Sequence, residues 1–560
     1  MDEQAQSSAK AKGATEKRYA LPGSFNAPAS PPPMASAAAM ATGRPMVEAA
    51  PTEDPMIEAA IDPNGRFATT YRPGHGHLAA FESAMSAGLL AQADRELVSD
   101  VGAHYAASFD PPEGRSLGML AELERSRMAP TGGPVHVRLS LRSVAAEART
   151  RPPLAIVVVL DTSGSMAGEL IQAARTATNN LVDRLEPTDS FSLVTFSTNA
   201  ELLRPMAPVG EDRKALHTLI DSIRETGGTN IGQGLQLGYA EAEKTSVPED
   251  AVRSVMLLSD GRANQGIVDP GQLSGLALTA FEHDVQTSSF GLGTDYDGPL
   301  MSQIANDGAG GYYYLRDASQ IASALTTELE QRLDPVATAV EVRVRLKSDV
   351  ELLKVYGSRR LDAEESSRVR RVEVAADQHA QQHDHIDSDR IDDAKGGMRF
   401  FIPAFAKNDE HAILLKLRLP QGVSQRDIAV VELKYKDRIS KKNVIEEVPL
   451  KVDFAESDAA SAATTNASVA KTIQGFAAGD ALLKASRLVA AGRSSAAAEL
   501  LAERESVLTQ AAETLNEPGF ATDAARLARM RGLISGPAGT TGDPLVVAMV
   551  LETAGSTHLR

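Results

Sequence analysis

The feature that most constrains this chain of 560 residues is an apolar stretch that ends in a run of oxygen-bearing side chains. Residues 156–160 have the sequence IVVVL, which is typical of a strand buried on both faces of a sheet. Asp161, Ser163 and Ser165 follow directly, and a helical pattern begins after them. Ligands of open α/β sheets bind at the carboxyl ends of the strands. The stretch therefore predicts either a metal site at that edge or a turn that caps a helix.

The composition argues against several classes of function. The formal net charge of −17 makes a nucleic acid an unexpected partner. The chain has no cysteine, which excludes disulfides, thiolate metal sites and thiol catalysis. No run of about 18 apolar residues occurs, so we expect no membrane span. Residues 1–17 lack an apolar segment typical of a signal peptide, which favours a cytoplasmic location. A cell-envelope location would follow if an anchor precedes this methionine.

Changes in periodicity divide the chain into five regions. Residues 1–65 are rich in Ala and Pro, which is typical of a disordered arm, and residues 66–150 combine short helical patterns with one strand. Residues 151–334 alternate strand and helix, which predicts an α/β fold with a doubly wound, mostly parallel sheet. Residues 335–455 alternate with period two and predict an antiparallel β-sandwich. Residues 465–560 predict a C-terminal helical region.

The strand at residues 135–141 has no partner within the predicted α/β domain. We expect it to join the sandwich, so that the α/β domain is inserted in the sandwich or flanked by it. Within the sandwich, residues 369–374 are predicted as a further strand. The polar residues 378–393 are expected to form a mobile loop.

Two further loops complete the opening motif. One contains two glycines followed by Thr229, just before a helix, and the other follows the apolar strand at residues 252–258. Because parallel strands open on one edge, the three loops can bring five side chains to one point: Asp161, Ser163, Ser165, Thr229 and Asp260. Such hard oxygen ligands suit Mg²⁺, with Mn²⁺ or Ca²⁺ as alternatives. Caps and turns explain each loop singly, but three together favour the metal site.

The five residues together resemble the metal-ion-dependent adhesion site of von Willebrand factor type A domains, and the likeness covers about residues 150–333. The surrounding sequence is similar to bacterial multidomain members of that family, of the chloride-channel-like and inter-α-trypsin-inhibitor-heavy-chain-like kinds. The resemblance implies that Ser163, Ser165 and Thr229 bind the metal directly, while Asp161 and Asp260 bind it directly or through water. It also implies that an Asp or Glu of a partner protein completes the coordination. The expected function is divalent-cation-dependent protein recognition.

A structural subunit, in which the metal only stabilises the loops, is the alternative function. An enzyme is not expected, since Ser163 stands where a haloacid-dehalogenase-type phosphotransferase needs a second aspartate. The sequence has no Gly-x-x-x-x-Gly-Lys-Ser/Thr loop for nucleotide phosphates. A serine nucleophile would need a nearby histidine, and His217 and His283 lie in predicted surface helices.

One other segment could hold a metal. His379 and His383 are four residues apart, so they would share a face if the segment were helical, and His385, Asp384 and Asp387 lie close by in sequence. A solvated loop without a metal is the alternative, and the composition favours it.

Overall fold

The computed structural model describes most of the chain after the first 58 residues. The described residues are 59–71, 78, 81, 85, 90, 97, 109–145, 151–211, 213–244, 246–260, 262–292, 297–315, 318–329, 334–390, 393, 396–535 and 544–559. The predicted disordered arm lies outside them except for its last seven residues. Most of the segment predicted as short helices, residues 72–108, lies outside them too, so both expectations stay predictions.

The described residues before the α/β domain form four strands. They are β1 (Gly65–Phe67), β2 (Leu117–Leu123), β3 (Arg127–Met128) and β4 (Gly133–Ser143). The strand β2 is a difference from the sequence-based expectation, which placed only short helical patterns before residue 128. It pairs antiparallel with β4 over its whole length, and its first three residues are buried. Pairing with a partner strand, which no local pattern encodes, decides its conformation.

Strand and helix alternate through most of the next region, as predicted, but residues 200–208 form an additional strand that the sequence-based expectation lacked. The elements are β5 (Leu154–Asp161), α1 (Glu169–Arg184), β6 (Ser190–Phe196), β7 (Ala200–Pro208), α2 (Arg213–Asp221), α3 (Ile231–Ala242), β8 (Val252–Ser259), α4 (Pro270–Glu282), β9 (Val285–Leu292), α5 (Gly298–Asp307), β10 (Ala309–Leu315) and α6 (Ala318–Thr327). The strand order is β10-β9-β8-β5-β6-β7, and every pairing is parallel except that of β6 with β7. The predicted doubly wound, mostly parallel sheet is confirmed.

Strand β5 lies at the centre of this sheet and is buried along its whole length. Alternate side chains enter different cores, with Val158 in the core on one face and Val159 in the core on the other. Two glycines let α3 lie close against the sheet. A Cβ atom on Gly238 would lie 2.6 Å from a methyl group of Val159, and one on Gly234 would lie 2.8 Å from the Phe196 ring. Helix α3 therefore packs directly on the central strands of the sheet.

The remaining strands form the sandwich, together with one helix that lies between them in the chain. They are β11 (Ala337–Leu346), β12 (Glu351–Val355), α7 (Ala363–Asp384), β13 (Met398–Phe405), β14 (Glu410–Leu419), β15 (Arg426–Asp437) and β16 (Lys442–Phe454). One sheet has the order β1-β13-β11-β15-β16-β3 and the other β12-β14-β4-β2, and both contribute to one apolar core. Strand β4 pairs antiparallel with β14, so the α/β domain is inserted between two strands of the sandwich.

Helix α7 corrects two predictions made from the sequence. Residues 369–374 are helical rather than a strand, and the predicted loop at residues 378–393 begins inside the same helix. A capping box between Asp362 and Glu365 starts α7. Val372, Ala376 and Ala380 then recur at helical spacing and are buried. The valines at positions 372 and 374 suggested a strand, because so short a run does not distinguish a period of two from the helical period of 3.6.

Five helices occur in the described residues from 458 to 559 and confirm the predicted helical region. They are α8 (Asp458–Ala462), α9 (Ala467–Ala490), α10 (Ser494–Thr514), α11 (Gly519–Ser535) and α12 (Pro544–His558). Their shared core also takes in the buried side chains of Phe81, Met85 and Leu97. In the described part of the chain, no helix has the length and apolarity that a membrane crossing needs.

Candidate metal centre

Asp161 occupies the last position of the central strand β5, and its side chain is completely buried. Both carboxylate oxygens accept a hydrogen bond. Oδ1 accepts from the backbone N–H of Ser163 at 2.8 Å, and Oδ2 accepts from the Ser259 hydroxyl at 2.6 Å. Ser259 is the last residue of the neighbouring strand β8. These two bonds fix the carboxylate at the carboxyl edge of the sheet.

Ser163, Ser165 and Asp260 place three oxygens in one small triangle. The Oγ atoms of Ser163 and Ser165 are 3.0 Å apart. The Ser165 hydroxyl lies 3.0 Å from Asp260 Oδ1, and the Ser163 hydroxyl lies 3.5 Å from the same atom. Ser165 is exposed, whereas Ser163 and Asp260 are buried. The cluster therefore reaches the surface at Ser165.

Thr229 lies beside this cluster without a direct hydrogen bond to it in the described residues. It is buried, with 3% of its surface exposed, in the loop before α3. Backbone bonds connect that loop to the first one, because Gly164 donates to the Gly227 carbonyl at 3.2 Å and Thr226 donates to the Thr162 carbonyl at 2.6 Å. The three predicted loops thus meet at one edge of the sheet. Four of the five predicted residues are joined by side-chain hydrogen bonds.

The two carboxylates of the cluster are electrostatically strained. Burial raises the pKa of Asp161 above its usual range, and hydrogen bonds from Ser259 and Ser163 oppose the shift. Burial, with a contribution from the charge of Asp161, raises the pKa of Asp260 to about 6. Neither carboxylate has a salt bridge to a Lys or Arg side chain in the described ranges. Two buried acids without a cationic partner are the arrangement that a bound cation relieves.

The spacing of the three clustered oxygens can be compared with the coordination geometry of Mg²⁺. Oxygens at 2.0–2.1 Å from Mg²⁺ in an octahedron lie about 3 Å apart when they are adjacent. The triangle of Ser163, Ser165 and Asp260, with edges of 3.0, 3.0 and 3.5 Å, is close to such a face. The ligand set contains only oxygens, with hydroxyls alongside two carboxylates, which suits a hard divalent cation. The residues present therefore fit a magnesium ion.

The histidine-rich segment does not form a comparable site. His379 and His383 do share a face of α7, and both lie near Asp284, with His383 Nε2 at 2.5 Å from its carboxylate. Asp384 is paired with Arg438 instead. Among the described residues, no group of three or more His, Asp or Glu side chains is arranged to hold a metal ion. The transition-metal hypothesis for this segment is therefore not supported.

Two residues near the cluster were missed by the sequence analysis. Ser259 fixes Asp161, and the side chain of Asn264 accepts a hydrogen bond from the backbone N–H of Thr229 at 2.9 Å. Ser259 could have been found, since it ends an apolar strand directly before Asp260. Asn264 gave no signal, because it lies in an irregular loop whose contact partner is 35 residues away in sequence.

A family model described as von Willebrand factor type A domain matches residues 155–328. A second model with the same description matches residues 323–424, which form sandwich strands and α7 rather than a second parallel sheet. The match at residues 155–328 covers the sheet and all five predicted ligands.

Several known proteins are similar to parts of the chain. YfbK of Escherichia coli is 27% identical over 303 residues, which is 52% of each chain. Inter-alpha-trypsin inhibitor heavy chain H4 of Homo sapiens is 30% identical over 202 residues, which cover 35% of this chain but 22% of the relative. The chain thus spans about half of one relative's length and less of the other's.

A solved structure shares the fold over a longer stretch. It is described as von Willebrand factor type A from Catenulispora acidiphila, and it covers 80% of this chain and 99% of its own, with a TM-score of 0.52 and 14% identity. The likeness extends beyond the α/β domain, but at this identity it concerns the fold alone. The chain is therefore a multidomain protein that contains a von Willebrand factor type A domain, formed by residues 155–328.

Proposed function

We propose that this protein recognises a partner protein in a divalent-cation-dependent manner, through a magnesium ion held at the carboxyl edge of the parallel sheet. The observation that carries the proposal is the oxygen triangle of Ser163, Ser165 and Asp260, with spacings that suit one face of a Mg²⁺ octahedron. Domains of this family serve metal-dependent protein interaction in general, which is consistent with the donor set.

Each residue would have a distinct role. Ser163, Ser165 and Thr229 would offer hydroxyl oxygens to the metal, and Asp161 and Asp260 would supply the balancing charge, directly or through water. The bound cation would supply a strong positive charge at an exposed point of the surface. An Asp or Glu side chain of the partner would be attracted to it and would complete the coordination.

The exposure pattern supports recognition at this point. Asp161, Ser163, Thr229 and Asp260 are buried, whereas Ser165 and Gly164 are exposed. A partner side chain could therefore approach from the side of Ser165 without any rearrangement of the sheet. Two carboxylates balance the overall charge of a divalent ion. At close range, however, the ion itself remains a strong positive charge that would attract a third carboxylate.

Partner capture with the full chain as bait tests the proposal. The wild type should capture a partner in magnesium and lose it in chelator, and Asp161→Ala should lose it in both conditions. The matched control is Asp250→Ala, an exposed carboxylate just before β8, at the opposite end of that strand from the cluster. A partner that binds Asp161→Ala in chelator with unchanged affinity would contradict the proposal.

A purely structural role for the metal makes a different prediction. If the ion only stabilised the loops, magnesium would raise the melting temperature markedly and leave capture of the partner unchanged. Recognition through the metal predicts the opposite result: partner capture depends on the metal, and the melting temperature changes only modestly.

A further inference from the structure

Thr229 is held in place from the loop that carries Asp260. Its backbone N–H donates to the side-chain oxygen of Asn264 at 2.9 Å, and its carbonyl accepts from the backbone N–H groups of Asn264 at 3.0 Å and Gln265 at 3.2 Å. Asn264 lies four residues after Asp260. Asn264 and Gln265 therefore tie together two of the three loops that form the candidate metal centre, and Asn264 does so with its side chain as well as its backbone.

The two loops are in close contact on both sides of Asn264. A Cβ atom built on Gly228 would lie 3.0 Å from the Asn264 side-chain oxygen. One built on Gly266 would lie 2.5 Å from the side-chain oxygen of Asn230, the residue that caps α3. Glycine at these two positions lets the loops approach closely enough for the bond between Asn264 and Thr229.

In the described residues, the hydrogen bonds from the Thr229 loop to other parts of the site are made by the neighbours of Thr229, and Thr229 itself bonds only to the loop that carries Asp260. The bonds of Thr226 to Thr162 and of Gly164 to Gly227 are made by backbone groups. Thr198 accepts a hydrogen bond from Gly228 at 3.0 Å, one residue before Thr229. In the described residues, Asn264 supplies the one side chain that hydrogen-bonds to Thr229.

We propose that Asn264 is a positioning residue for the metal centre, which orients Thr229 so that its hydroxyl faces the cation. This inference rests on the proposed function, because it needs a metal at the site. Residues that hold a metal ligand in place typically contribute 10–100-fold to metal affinity. Asn264 is exposed, so its side chain contributes little to the core of the fold.

Magnesium titration calorimetry of three variants of the full chain tests the inference. Asn264→Ala should bind Mg²⁺ about 10–100-fold more weakly than the wild type, because the backbone N–H of Thr229 loses its side-chain acceptor. Asn264→Asp retains the acceptor oxygen and should recover at least the wild-type affinity. Gln265→Ala is the matched control, since this exposed neighbour bonds to Thr229 through its backbone alone, and its affinity should equal that of the wild type.

A second measurement needs no metal. In chelator, the backbone amide of Thr229 should exchange with deuterium faster in Asn264→Ala than in the wild type, while the melting temperature stays nearly the same. A large fall in that melting temperature would contradict the inference, because Asn264 would then hold the fold rather than the site.

The outcomes separate this inference from the proposed function. If the wild type binds Mg²⁺ and Asn264→Ala binds it equally well, the role of Asn264 is wrong and the proposed function stands. An Asn264→Asp variant as weak as Asn264→Ala would also overturn that role. If the wild type binds no Mg²⁺, both fail.

Discussion

At the scale of single residues, the two buried carboxylates of the candidate metal centre destabilise the metal-free protein. Asp161 and Asp260 are buried close together, and the charge of one raises the pKa of the other. Proteins keep such strained acids mainly at functional sites, where a ligand relieves the strain. The metal-free protein should therefore be less stable than a variant in which one of these charges is removed.

Asp260→Asn provides a test of this strain. In the folded, metal-free protein the Asp260 pKa is raised from 3.8 to about 6, so the folded state holds this proton up to a higher pH than the unfolded state does. The free energy of unfolding should then fall as pH rises between these values. At pH 7 the variant should be more stable than the wild type by about 1–3 kcal/mol in chelator. Urea unfolding at pH 4 and pH 7 measures this, and a variant less stable than the wild type at pH 7 would contradict it.

The site residues differ in how far the sequence reveals them. Asp161, Ser163 and Ser165 are adjacent and follow an apolar strand, so a local motif predicts them. Thr229 and Asp260 are predictable once the parallel sheet is inferred, because strand ends share an edge. Asn264 is not predictable in this way, since its role depends on the packing of two irregular loops that no periodic pattern describes.

At the scale of elements, sequence periodicity predicts a helix or strand when the element has a clear pattern of its own. It fails when pairing with another element determines the conformation. The doubly wound sheet was predicted because most of its helices and strands carry a clear period, although the antiparallel strand β7 was missed. Helix α7 was predicted as a strand and a loop, although the capping box of Asp362 and Glu365 marks its beginning. Strand β2 was missed because its conformation depends on pairing with β4.

Two glycines in C-terminal helices give opposite predictions for the same substitution. A Cβ atom on Gly479 of α9 would lie 2.7 Å from the Cβ of His558 and 3.0 Å from the Gly555 carbonyl of α12. Gly479→Ala should push these helices apart and lower the free energy of unfolding by about 1–3 kcal/mol. Gly532 of α11 has open space around it and is exposed, so Gly532→Ala should stabilise the helix by about 0.5–1 kcal/mol. Chemical denaturation of both variants checks the pair, and an equal effect of the two would contradict the packing described here.

At the scale of the whole molecule, charged side chains connect the domains. Arg368 and Arg371 of α7 pair with Asp307 and Glu282 of the α/β domain. On the other side of the sandwich, Arg138 of β4 is fully buried and donates to the hydroxyl of Thr472 in α9 at 2.7 Å. The inserted domain and the helical region are therefore both anchored on the sandwich.

Arg138→Met should loosen the attachment of the C-terminal helices. The variant removes the hydrogen bonds to Thr472 and Ser468 of the helix, and Glu122 loses its ion-pair partner but keeps a hydrogen bond from Asn466. A loss of about 1–3 kcal/mol in the free energy of unfolding is expected, because buried hydrogen bonds from a charged group are removed. Arg426→Met is the control, because its ion pair with Asp349 is partly exposed and should be worth at most about 1 kcal/mol. Hydrogen exchange of α9 should rise in the first variant alone, and similar exchange in both would contradict the anchoring role.

We propose that five oxygen-bearing residues at the carboxyl edge of the mostly parallel sheet form a single magnesium site. Calorimetric titration of Mg²⁺ into the wild type and into Asp161→Asn tests it most directly, since this substitution keeps the size of the side chain and removes its charge. The wild type should bind one Mg²⁺ per chain at this site, and Asp161→Asn should lose that binding. Binding of equal strength in both proteins, or none in the wild type, would contradict the account.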